Sequence, residues 1–132
     1  MFWPFRRGRD APLGQRGERL ARRLLRHAGM KILGRNYRCP AGEIDLIALD
    51  PTTRRESGAE TIVFVEVKTR RSDDFTDPDA AVNAAKQRRI RSAAKQYISH
   101  HPTSGYNVRF DIVSIVWPEG GKPKAKHIED AF

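Results

Sequence analysis

Gly42-Glu43-Ile44-Asp45-Leu46-Ile47 and, further on, Phe64-Val65-Glu66-Val67-Lys68-Thr69-Arg70 place two carboxylates and a lysine on short runs that are otherwise apolar. In the second run Val63, Val65 and Val67 alternate with Ile62, Phe64, Glu66 and Lys68. That is strand periodicity, and it sends Glu66 and Lys68 to one face, separated by about 7 Å along the strand. Carboxylate and ammonium are therefore expected side by side. In the first run the same alternation puts Glu43, Asp45 and Ile47 on one face and Ile44, Leu46 and Ala48 on the other. Carboxylates converging from two strands make a hard-oxygen site suited to Mg²⁺, with water and a substrate phosphate completing the shell. Glu beside Lys on an exposed strand face would be a plainer arrangement, worth at most about 1 kcal/mol. From Thr61 to Val67, however, Glu66 is the only charge. A charge kept in a core strand calls for a partner, a metal or a catalytic role.

Around these runs the chain reads as one α/β domain. Leu20, Ala21, Leu24, Leu25 and Ala28 form a helical stripe stopped by Gly29, which predicts a first helix from about Pro12 or Gly14 to Ala28. A strand from Lys31 to about Arg38 follows, then a turn at Cys39-Pro40-Ala41-Gly42, a second strand from Glu43 to Leu49, a polar loop from Pro51 to Ala59, and a third strand from Thr61 to Thr69. Ser72 to Asp79 reads as a mobile acidic loop. Ile90, Ala93, Ala94, Tyr97 and Ile98 mark a second helix, ended by His101-Pro102. Val108 to Trp117 alternates as a last long strand, and a short final element carries His127-Ile128. Tyr37, Tyr97, Tyr106 and Trp117 are expected to pack rather than to stack on bases.

The chain has 132 residues, enough for one core, with residues 12–132 as a single domain and Met1 to Ala11 as a mobile basic arm. Lys and Arg number 25 against 16 Asp and Glu, a formal charge of +9, which suits a polyanionic partner without telling DNA from RNA. Cys39 is the only cysteine, so no intrachain disulfide forms, and the four histidines show no zinc spacing. Reducing cytoplasm is the expected compartment. No apolar run approaches the roughly 18 to 20 residues of a membrane span, so no membrane role is expected.

The two quoted runs resemble those of the bacterial YraN family of restriction-endonuclease-like proteins. The likeness continues in Gly17-Glu18, Asn36-Tyr37, Lys86-Gln87-Arg88-Arg89-Ile90, Val108-Arg109-Phe110-Asp111 and Ala131-Phe132, and so covers nearly everything from Gly14 onward. Asp45 with Glu66-Val67-Lys68 resembles the PD-(D/E)XK nuclease signature. Ile44 stands where the broader nuclease pattern has proline, as it also does in the YraN family. The resemblance implies a restriction-endonuclease-like core, a central mixed sheet flanked by helices in the order α-β-β-β-α-β. It further implies that Asp45, Glu66 and the backbone carbonyl of Val67 hold Mg²⁺ or Mn²⁺, and that Lys68 acidifies the attacking water or neutralises the phosphate.

Glu18 resembles the helical carboxylate that Holliday-junction-resolvase-type nucleases add to this site. Its alternative is an i, i+4 pair with Arg22, worth about 0.2 to 0.5 kcal/mol. Glu43 is either an auxiliary ligand or a solvated neighbour. Arginines of the first helix (Arg16, Arg19, Arg22, Arg23, Arg26) and cations of the second (Lys86, Arg88, Arg89, Arg91, Lys95) could grip phosphates on either side of the site. Arg70, Lys86 and Arg89 are the candidate nucleic-acid contacts. The expected function is metal-dependent endonuclease action on DNA, including branched or otherwise structured DNA, which by analogy with junction cleavage would call for a homodimer. The alternatives are a nucleic-acid-binding module of the same fold without turnover, and an interaction protein for an acidic partner.

Overall fold

The computed structural model of the chain describes residues 12–72 and 82–132. The expected arm over residues 1–11 and the acidic segment beyond Ser72 lie outside the described residues. Helix α1 spans Leu13–His27, strands β1 and β2 span Lys31–Cys39 and Gly42–Asp50, and β3 spans Thr61–Arg70. Helix α3 (Ala84–His100) then leads to β4 (Asn107–Val116) and β5 (Lys124–Ile128). The Pro51–Ala59 stretch, expected as plain loop, holds a 3-10 turn at Pro51–Thr53 and a one-turn helix, α2, at Arg54–Ser57. Asp50 starts that turn by accepting the Thr52 N–H at 3.0 Å, a local side-chain device that hydrophobic periodicity does not register.

The five strands form one mixed sheet in the order β1-β2-β3-β4-β5. β3 lies at its centre, antiparallel to β2 and parallel to β4 through the α3 crossover. This is the flanked mixed sheet expected from the sequence, extended by β5, and it is consistent with a restriction-endonuclease-like core. Apolar side chains divide between its faces. Ala21, Leu25, Leu46, Ala48, Val63, Val65, Val113 and Ile115 form a core beneath α1. Ile47, Ile62, Phe64, Ile90, Ala93, Ala94 and Ile112 form another beneath α3.

Helix α1 ends where its stripe ends. Gly29 takes φ 93 and gives its N–H to Arg26 O at 3.0 Å, while Met30 N–H reaches Leu25 O at 3.0 Å, a Schellman closure for which glycine carries no Cβ penalty. Met30 and Leu25 are both buried. The helix also comes unusually near the sheet. A Cβ at Gly17 would lie 1.9 Å from Thr69 Oγ1 and 2.9 Å from Thr69 Cβ. Threonine is short and stiff at χ1, so Gly17→Ala must push α1 off β3. We expect a loss of about 1–3 kcal/mol in urea unfolding, as for other overpacked contacts. An unchanged midpoint would show that the contact yields freely.

Candidate active site

β2 and β3 part company at Asp45. Their paired residues run from Asp50↔Thr61 to Leu46↔Val65 and go no further. Beyond that point Asp45 Oδ2 accepts the Val67 N–H at 2.8 Å, so a side chain replaces the backbone ladder at the mouth of a fork. The alternation read from the sequence fails here. Ile44 was expected on the face of Leu46 and Ala48, but it packs with Ile47, Phe64 and Ile90 under α3. Freed from β3, the chain twists across Asp45. On the other side, Asn36 sits between the pairs Arg35↔Leu46 and Tyr37↔Ile44 and takes φ 52, a conformation asparagine tolerates better than most residues.

Glu66 is only 4% exposed and Asp45 is partly buried. Burial first, then a shared hydrogen bond and like charge from Glu66, push the Asp45 carboxyl up to about 7, against a smaller opposing pull from the Val67 N–H and Lys86. The two carboxylates therefore converge as the sequence suggested. Lys86 enters the site from α3. Asn83 caps that helix by accepting the Lys86 N–H at 2.9 Å, and the Lys86 ammonium lies against Glu66 Oε2. That oxygen is buried, and the ammonium is its ionic partner.

The ammonium on Glu66 thus comes from Lys86, where the sequence put Lys68. Lys68 stands one step further along the same face, partly buried and opposite Ser114. Lys86, expected as a phosphate contact, stands against the carboxylates. Strand periodicity could place Lys68, but only the packing of α3 over Glu66 could reveal its competitor.

Glu18 projects toward the same charges. Burial and then the Asp45 carboxylate raise its pKa, with Arg22 and Arg35 opposing. Gln15, Glu18, Arg19, Arg22, Arg35 and Asn36 line a cleft of about 250 Å³ beside it. Glu18 is thus an electrostatic neighbour of Asp45. Glu43 pairs with Arg38 at 3.4 Å with both side chains well exposed, the solvated role. Arg70 closes β3, its carbonyl accepting the Trp117 N–H at 2.7 Å. Arg89 is exposed on α3, and its backbone carbonyl would lie 2.7 Å from a Cβ at Gly42. Glycine at that position lets α3 and β2 touch.

Two arginines considered as phosphate grips rest on rings. Arg16 lies 4.2 Å over Trp117, and Arg91 lies 4.8 Å over Phe110. Tyr37 packs edge-on to Tyr97, as expected, whereas Tyr106 is exposed.

One charged cluster went unread. Asp111 is fully buried and accepts from Arg109 Nε at 2.8 Å and Nη2 at 3.0 Å, from the Asp130 N–H at 3.0 Å, and meets His127 Nε2 at 2.7 Å. Arg109 Nη1 also reaches Asp50 at 3.1 Å. Burial alone would raise the Asp111 carboxyl, but the bonds from His127, Arg109 and the Asp130 N–H outweigh it and hold the group below the usual carboxylate range. Its signal is present in the sequence, where Asp111 is the lone acid in the core strand Phe110 to Ile115 as Glu66 is from Thr61 to Val67.

Residues 17–115 match the model of the uncharacterised protein family UPF0102. The chain belongs to this family. A UPF0102 protein of Nocardia farcinica is 42% identical over 125 residues, covering 95% of this chain and 92% of that protein. Another, of Rhodococcus opacus, is 43% identical over 120 residues, covering 91% and 95%. UPF0102 is the YraN family of the resemblance above, and the matched span takes in Glu18, Asp45, Glu66, Lys68, Lys86 and Asp111. No helix among the described residues is long and apolar enough to cross a membrane.

Proposed function

We propose that this UPF0102 protein is a metal-dependent nuclease of the PD-(D/E)XK type, acting on DNA and suited to branched or otherwise structured substrates. The observation that carries the reading is the Asp45–Glu66 pair, two carboxylates held together at a fork in the sheet with the Asp45 pKa driven up to about 7. Such crowding disfavours the charged pair until a cation relieves it. The donor set fits the proposed ion, because Mg²⁺ is commonly held by one or two carboxylates and otherwise keeps water and phosphate oxygens. Asp45, Glu66 and the Val67 carbonyl would hold Mg²⁺ or Mn²⁺, which when bound polarises a phosphate and acidifies a water.

The chain's own groups have separate tasks. The Val67 N–H fixes the Asp45 carboxylate beside Glu66. Lys86 supplies counter-charge to Glu66 from within, while Lys68 offers an ammonium further along the open strand to a phosphate. The formal charge of +9 favours approach of a polyanion. Action on junctions would require two copies related by symmetry, and the single thiol suits a reducing cytoplasm.

A second reading also has an observation behind it. Lys86 already neutralises Glu66, and a resident ammonium would let the same fold bind nucleic acid without turnover. Purified protein incubated with linear, nicked, flapped, branched and single-stranded DNA, in Mg²⁺, Mn²⁺ or chelator, separates the two. The nuclease reading expects cutting that needs metal. Saturable, salt-dependent binding with no cutting of any substrate would leave the binding module, and cutting that persists in chelator would remove the metal site.

A further inference from the structure

A second basic surface lies beside the site, on strands to which the sequence reading assigned no contact. Arg71, Lys122, Lys124 and Lys126 rim a concave cleft of about 480 Å³. Ser114 and Val116 line its base, and none of the described residues lining it is acidic. Its position follows from strand register. Lys68 pairs with Ser114 and Ser114 with Lys126, while Val116 pairs with Lys124. Directly paired residues share a face, so Lys68, Ser114 and Lys126 form one row across β3, β4 and β5. Glu66 stands two residues behind Lys68 on that face. The cleft therefore lies on the face of the sheet that carries Glu66 and Lys68.

We infer that Arg71, Lys122, Lys124 and Lys126 bind the sugar–phosphate backbone of the nucleic acid whose scissile phosphate the proposed nuclease site receives. The inference rests on the nuclease reading and names where its substrate lies. Lys124 and Lys126 project from one face of β5 about 7 Å apart, a spacing comparable with that of neighbouring phosphates on one strand. Arg71 is oriented by its bond to the Trp117 carbonyl at 3.3 Å. No aromatic ring among the described residues lines the cleft, so the inferred contact is with backbone and carries no sequence information. Lysines on an edge strand also discourage pairing with other chains. That role calls for charge anywhere on β5, whereas here three separate segments aim cations around one hollow.

The test measures binding without turnover. Lys122→Ala/Lys124→Ala/Lys126→Ala is compared in chelator with wild type and with Lys31→Ala/Arg54→Ala/Arg55→Ala, which removes equal charge from the opposite end of the sheet. Fluorescent DNA duplexes of two unrelated sequences serve as probes across a salt series. The cleft variant should bind both at least about tenfold more weakly, with a slope against log salt shallower by about 2–3, since each lost phosphate contact removes about 0.9. The control should stay near wild type. Equal losses in both variants, or none in either, would overturn the cleft and leave the nuclease reading standing. Failure of wild type to bind either duplex would likewise overturn the cleft, while cleavage of the DNA panel in metal decides the nuclease reading separately.

Discussion

Asp45→Asn should slow metal-dependent cleavage by a factor on the order of 10³ and yet melt higher than wild type in chelator. Both effects come from one change. An asparagine oxygen can accept the Val67 N–H as Asp45 Oδ2 does at 2.8 Å, and its amide N–H can donate to Glu66. The variant thus copies the protonated acid, cannot ionise, and loses a metal ligand and its electrostatic contribution to the transition state. The sign of the stability change follows from the Asp45 carboxyl, raised from 3.8 to about 7 mainly by burial, then by Glu66. Between about pH 4 and 7 the folded protein keeps a proton that the unfolded chain has released, so wild-type stability falls as pH rises through that window. Below it the two proteins should melt alike. Above pH 7 the Asn variant should lead by on the order of 1–3 kcal/mol, several degrees in Tm. Metal should narrow the gap from the other side, adding near 2.7 kcal/mol to wild type at about 100 times its Kd and little to the variant. Thermal melts of both proteins across pH, with and without Mg²⁺, decide it. Identical curves in every condition would remove the carboxylate pair from the proposal.

The other large effect is expected far from that pair. Arg109→Met keeps an apolar stem of similar length but takes the guanidinium from Asp111, fully buried and left with His127 and the Asp130 N–H, and from Asp50, 3% exposed and left with Thr52. Removing one member of a buried, hydrogen-bonded charge cluster typically costs about 3–5 kcal/mol, and we expect that loss from urea midpoints at neutral pH. Replacing Asp111 by leucine in the same background should restore part of it, because the buried carboxylate that lost its guanidinium is then gone. A loss below about 1 kcal/mol would mean that water reaches the cluster. The pH trend runs opposite to that of Asp45. Asp50 and Asp111 are held below the usual carboxylate range, so the stability they contribute is present above the unfolded carboxylate pKa and lost as pH falls through the folded value.

Much of this was legible in the residues. The α1 stripe and its Gly29 stop and the four long strands are local periodic features that appear within a residue or two of their expected limits, and α3 ends where His101-Pro102 was expected to end it. Asp45 and Glu66 also meet as their strands implied. What escaped is non-local. Ile44 changed faces because the sheet forks, which a period of two cannot encode. Lys86 reached Glu66 because α3 crosses over β3, a fact of packing. Arg109, Asp111, His127 and Asp50 come from three strands, and only pairing of β4 with β5 brings His127 to Asp111. The Arg71 to Lys126 cleft is likewise made by register across strands distant in sequence.

The Val67 N–H, held by Asp45 rather than by a neighbouring backbone carbonyl, ties the cohesion of the central strand to an acid–base equilibrium. Ionised, Asp45 is the better acceptor and draws β2 toward β3, while its repulsion from Glu66 drives the two apart. Protonated, it drops the repulsion and loosens its hold on the amide. The mouth of the sheet is therefore a balance with two weights, and hydrogen ions and divalent cations press on the same arm.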